Sequence, residues 1–189
     1  MKSPLFVLVF LLTTFGLARA GTVVENKVDN PPPQVAFNTF AHFEVKKITM
    51  GAPYAGQAAN EKALKKIQQN FDLRVNPLLE KWNKAAAPGS KTLVIEPRID
   101  QIKFINATAR FWAGAFAGDS GVILKIDFID KDTGKAVAEA EFYQRANKRG
   151  GAWSIGATDN NMLVRITEVS ARYISTNYDK AVGGPTGLD

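Results

Sequence analysis

The sequence predicts an α+β fold: a mixed or antiparallel four-stranded sheet with two helices packed on one face, in the order β-α-β-β-β-α. Three observations predict it. Apolar residues recur at steps of three and four over residues 58–82 and again over 162–173, the stripe of an amphipathic helix. Residues 122–128 and 136–142 alternate with a period of two, as half-buried strands do. Between those strands lies Asp130-Lys131-Asp132-Thr133-Gly134-Lys135, a run of turn-forming residues.

Taken in order, residues 37–48 are rich in Phe, Val and Ile and are expected to form the first strand, ended by Gly51-Ala52-Pro53. In the first helix Leu64, Ile67, Phe71, Val75, Leu78 and Trp82 make the buried stripe, while Lys62, Lys65, Lys66, Gln69 and Arg74 fall largely toward solvent. Pro77 removes a helical donor and crowds the carbonyl of Leu73, so a kink or break is expected there. Asn76 is placed to cap a short second helix with Pro77 as its first residue.

Residues 91–105 make a long strand whose pattern changes phase. Leu93, Ile95 and Ile99 share one parity, and Ile102 and Phe104 the other, so a bulge near Gln101 is expected to turn both sets inward. Pro97 cannot donate to a ladder and favours an edge position at that point. The hairpin follows, with Val122, Leu124, Ile126 and Phe128 facing Ala136, Ala138, Ala140 and Phe142. Lys125, Asp127, Glu139 and Glu141 lie on the wet side. After Gly150-Gly151, Thr158 or Asp159 is expected to cap a closing helix striped by Met162, Ile166, Val169 and Tyr173.

The ends of the chain carry its address. Residues 1–20 read as a secretory signal: Lys2, an apolar run from Leu5 to Phe15, then Ala18-Arg19-Ala20, small residues at the positions a signal peptidase reads. Residues 21–36, with Pro31-Pro32-Pro33, read as a stiff spacer, 37–180 as one domain and 181–189 as a flexible tail. Removing residues 1–20 leaves a net charge of +4. With no run of Lys or Arg longer than two, nucleic acid is not an expected partner. The mature chain is expected to be exported, periplasmic or secreted, without a transmembrane or lipid anchor.

Composition removes most catalytic machinery. There is no cysteine and one histidine among 189 residues, so thiolate sites, cysteine nucleophiles and clustered imidazoles are excluded. Gly118-Asp119-Ser120-Gly121 looks like a serine-protease nucleophile segment, but only His42 could act as its base, and His42 lies inside the first predicted strand. Gly114, Gly118 and Gly121 lack the Lys and the helix start of a phosphate loop. Asp130, Asp132 and Glu141 fit three positions of a calcium-loop template, yet Lys135 stands where that template needs Gly. No cofactor and no metal site is expected.

What remains is recognition. Arg110, Trp112 and Phe116 surround Gly114, and Trp153 lies in the other Gly-rich segment; aromatic and Arg side chains on loops of a rigid sheet suit partner binding. Lys62, Lys65, Lys66, Lys81 and Lys84 of the first helix offer an alternative, a basic face for anionic lipid or polysaccharide.

Several segments stand out together: Leu93-Val94-Ile95-Glu96-Pro97, Ile102-Lys103-Phe104-Ile105, Arg110 with the Gly114–Ser120 segment, Asp130-Lys131-Asp132-Thr133-Gly134-Lys135 and Gly156-Ala157-Thr158-Asp159. The set resembles a bacterial family of exported and lipid-anchored envelope proteins, domain-of-unknown-function family 4410. The resemblance covers residues 40–178 and implies an envelope protein; it carries no catalytic residues. The expectation is a non-catalytic exported binding or accessory module whose partner is an envelope protein or glycan, with an enzyme of unfamiliar type as the remaining alternative.

Overall fold

The computed structural model describes residues 28–84, 90–104, 120–146 and 155–188, with side chains of the last segment described from Asn160 on. In chain order the elements are β1 (Asp29–Asn30), a 3-10 turn (Phe37–Thr39), β2 (His42–Val45), β3 (Thr49–Met50), α1 (Ala58–Asn83), β4 (Thr92–Lys103), β5 (Gly121–Asp130), β6 (Ala136–Arg145), α2 (Ile155–Thr176) and β7 (Gly184–Pro185).

The hairpin forms where turn chemistry placed it. The Asp130 carboxylate accepts the Asp132 and Thr133 N–H groups at 2.9 and 3.3 Å, and Gly134 adopts φ +66, the left-handed conformation the turn requires. β4, β5 and β6 pair antiparallel, and β2 and β3 join β4 parallel, giving a mixed sheet in the order β2-β4-β5-β6 with β3 also on β4. It has five strands where four were expected. The single strand expected over residues 37–48 is divided: Phe37 and Phe40 both turn inward, a spacing of three that suits a 3-10 turn and not a strand.

The register of β4 shifts between Ile99 and Gln101. Because of that bulge Leu93, Ile95, Ile99 and Ile102 all enter the core despite their opposite parities. Pro97 sits beside a break in pairing. Ile95 accepts the Lys46 N–H on the β2 side, and backbone direction alternates, so Pro97 faces that same side, between Val45 of β2 and Thr49 of β3.

Both helices cover one face of the sheet. α1 contributes Ala63, Ile67, Phe71, Val75, Leu79 and Trp82, and α2 Met162, Leu163, Ile166, Tyr173 and Ile174, to one core with β4, β5 and β6. The break expected at Pro77 does not occur; α1 runs unbroken through it. Leu73, whose carbonyl loses its helical partner, is exposed together with Pro77, so water can take the freed acceptor while Leu79 and Trp82 hold the final turns in the core. Asn76 is therefore an interior helical residue and not a cap. α2 starts at Ile155, ahead of the expected caps Thr158 and Asp159.

The two ends differ from the spacer and free tail expected of them. From Val28 on, and up to Leu188, they run along β6. Gln34 donates its N–H to the Val137 carbonyl, Tyr143 donates its N–H to Thr186, and β1 pairs with β7. Asn30 acts as a substitute peptide group: its side chain accepts the Glu141 N–H at 2.7 Å and donates to the Glu141 carbonyl at 3.0 Å. At the opposite border Asn83 does the same for Phe43 of β2, at 2.8 and 3.0 Å. Exposed strand edges invite pairing with other chains, and here side-chain amides occupy edge positions on both outer strands.

Candidate binding surfaces

The catalytic arrangement considered for Ser120 is excluded by register. His42 pairs with Thr92 at one end of β4, whereas Ser120 directly precedes Gly121, the partner of Lys103 at the other end. Twelve residues of strand separate those ends, about 35 Å at ~3.3 Å per residue. The calcium template is likewise drawn apart. Asp130 caps its own turn, while Glu141 stands opposite Lys125, five residues along β5. Among the described residues no three acidic or His side chains gather as a metal site.

Arg110, Trp112, Phe116 and Trp153 lie outside the described residues. The flanks of their segments do not. The Ala146 N–H bonds the Ser120 carbonyl at 3.0 Å, and Lys103, Gly121 and Arg145 stand side by side in the ladder. The connections from β4 to β5 and from β6 to α2 thus leave the sheet at one end.

The open face of the sheet is charged, and several of its charges are paired. Arg98 binds Asp127, Lys125 reaches Asp100 at 3.2 Å and Glu141 at 3.8 Å, Lys46 meets Glu96 and Lys131 meets Glu44. Cross-strand register explains the pattern. It aligns Glu96, Asp127 and Glu139 in one row and Arg98, Lys125 and Glu141 in the next, so each cation has acidic diagonal neighbours. Tyr143, packed with Ile123 under Leu188, is 2% exposed. Burial, and then the Glu141 carboxylate, push its phenol well above the ordinary value of 10. On the core side, burial raises the Tyr173 phenol to about 12, which keeps it a donor to the Pro31 carbonyl at 3.0 Å.

The helical layer is different. Lys62, Lys65, Lys66 and Lys81 are all exposed on α1, and Lys84, the residue that caps its C-terminus, is exposed beside them, as their positions predict. None of the five takes part in the ion pairs that engage Lys46, Lys47, Arg74, Arg98, Lys125 and Lys131. Two features escaped the sequence. Leu73 lies 74% exposed on this same face; its signal was that it falls off the stripe. The edge-closing roles of Asn30 and Asn83 carry no local signal, because their partners are 111 and 40 residues away. No described helix is long and apolar enough to cross a membrane.

The sequence model of the family described as Domain of unknown function (DUF4410) matches residues 27–146. No match is found among curated proteins. Among solved structures the chain is similar to a Xanthomonas campestris protein of family DUF330, at 14% identity over 79% of this chain and 91% of that one, TM-score 0.45. It is also similar to the PelC dodecamer from Paraburkholderia phytofirmans, at 13% identity over 73% and 91%, TM-score 0.38. A minor lipoprotein from Acinetobacter baumannii is similar at 7% identity over 73% and 94%, TM-score 0.34.

Proposed function

The chain belongs to the DUF4410 family, and from that premise we propose that it is a non-catalytic, exported binding or accessory module of the bacterial envelope. Its contact surface is the pair of connections carrying Arg110, Trp112, Phe116 and Trp153, presented to an envelope protein or glycan. One observation carries the reading: the Ser120–Ala146 hydrogen bond ties the roots of both connections to one end of a well-packed sheet. Side chains held on a rigid scaffold lose less entropy on binding, and aromatic and Arg anchors supply most of the affinity in typical interfaces.

Trp112→Ala and Trp153→Ala are expected to abolish capture of an envelope protein or glycan by the exported form, with the thermal melt unchanged. Binding lost in step with the melt would make these residues core plugs. Turnover of cell-wall or ester substrates by the purified chain would overturn the non-catalytic assignment.

A second reading is favoured by the exposed lysines of the first helix, which form no ion pair among the described residues: a basic surface for an anionic polymer or lipid. Such contacts weaken with salt, since the Debye length is about 8 Å at physiological ionic strength.

A further inference from the structure

We infer that the outer face of α1 docks flat on a membrane surface bearing anionic headgroups, an inference that rests on the second reading above and names its partner. α1 spans 26 residues, about 39 Å at ~1.5 Å per residue. Its inner side is committed to the core through Ile67, Phe71, Val75 and Leu79. On the outer side Lys62, Lys66, Leu73, Pro77 and Lys84 follow the helical period along one line, flanked by Lys65 and Lys81. Glu80 is the exposed acid within that face.

Charge is distributed unevenly between the two faces of the molecule. In the middle of the open sheet face Arg98 and Lys125 are neutralised internally, by Asp127 and by Asp100 and Glu141. The five lysines of α1 have no such partners among the described residues, and Lys62 and Lys66 stand four apart, where like charges disfavour the helix. Lys65 and Lys84 each stand four residues after a glutamate, Glu61 and Glu80, a spacing that supports the helix, but Lys62 and Lys66 have no such helical neighbour and would gain from an external anionic surface.

Leu73 selects the kind of surface. It is 74% exposed, midway along the helix and between the two lysine groups. A soluble polyanion offers it no hydrocarbon, whereas a bilayer interface does, and lysine stems can lie along that interface with their ammonium groups at the headgroups.

The test is co-sedimentation of the exported form with vesicles of phosphatidylglycerol and phosphatidylcholine, against phosphatidylcholine alone, with dextran sulfate binding measured in parallel. Binding to the anionic vesicles is expected, weakening as salt rises. Each lysine near an anionic surface is worth roughly a 5-fold change in affinity, so the triple variant Lys62→Gln, Lys65→Gln, Lys66→Gln is expected to lose about 100-fold. Leu73→Ser is expected to weaken vesicle binding about 5-fold and to leave dextran sulfate binding unchanged. All these side chains are exposed, and unchanged melts check that the variants fold. Dextran sulfate binding that needs the lysines, without vesicle binding or without a Leu73 effect, overturns the membrane inference and keeps the basic-surface reading. A triple variant that binds both ligands like the parent overturns both.

Discussion

Asn177→Ala is expected to lower stability by about 3–4 kcal/mol, because a buried carboxamide with four hydrogen bonds would leave several backbone groups unpaired. Asn177 is 0% exposed. Its amide donates to the Tyr173 and Gly183 carbonyls at 2.8 and 3.0 Å, and its carbonyl accepts the Val182 and Gly183 N–H groups at 2.9 and 2.8 Å. One side chain therefore ends α2 and turns the chain back toward β6. Gly183 is held at φ +76, where a Cβ would lie 2.4 Å from the Asn30 carbonyl oxygen; only glycine lets the two ends pass this closely. A thermal melt checks the prediction: at about 2–4 °C per kcal/mol for a domain of this size, a fall near 10 °C is expected. Limited proteolysis is expected to cut the variant first within residues 181–188.

Phe128→Ala is expected to cost about 3–5 kcal/mol, the range for removing a large buried aromatic side chain. The Phe128 ring stacks on Phe37 with centroids 4.7 Å apart and meets Tyr173 at 5.8 Å. It thus joins the central strand, the 3-10 turn and α2 in one contact. Phe37 is itself hydrogen-bonded through its N–H to the Asn177 carbonyl, so this cavity would also loosen the docking of the N-terminal segment. Chemical denaturation is the measurement; a cost below about 1 kcal/mol would mean that the neighbouring rings refill the space.

Elements whose cause is local were legible in the sequence. The hairpin announced itself through Asp130 and Gly134, the bulge through the parity change between Ile99 and Ile102, and α1 through its buried stripe. Pro77 misled because propensity weighs a lost hydrogen bond without knowing that Leu73 faces water. Pro31-Pro32-Pro33 misled in the opposite direction. Composition suggests a solvated spacer, yet Pro33 is buried and the Pro31 carbonyl receives the Tyr173 hydroxyl, a contact across 142 residues. For the candidate surfaces, the exposed lysines follow from helical periodicity, whereas nothing in the pattern sets Leu73 apart from the other residues off the buried stripe. Closure of the strand edges was invisible, since a lone Asn has no pattern until its distant partner is known.

That closure directs where a partner can bind. With Asn30 on β6 and Asn83 on β2 occupying edge hydrogen bonds, strand addition is disfavoured there, which leaves the two surfaces proposed above for a partner. Amide hydrogen exchange of Phe43, Glu141 and Tyr143 tests this most directly. All three are expected to exchange nearly as slowly as the central Ile126, with Asn30→Ala accelerating Glu141 and leaving Phe43 unchanged. Free exchange of Glu141 and Phe43 in the parent protein would contradict the account, because the sheet would then offer open borders to another strand.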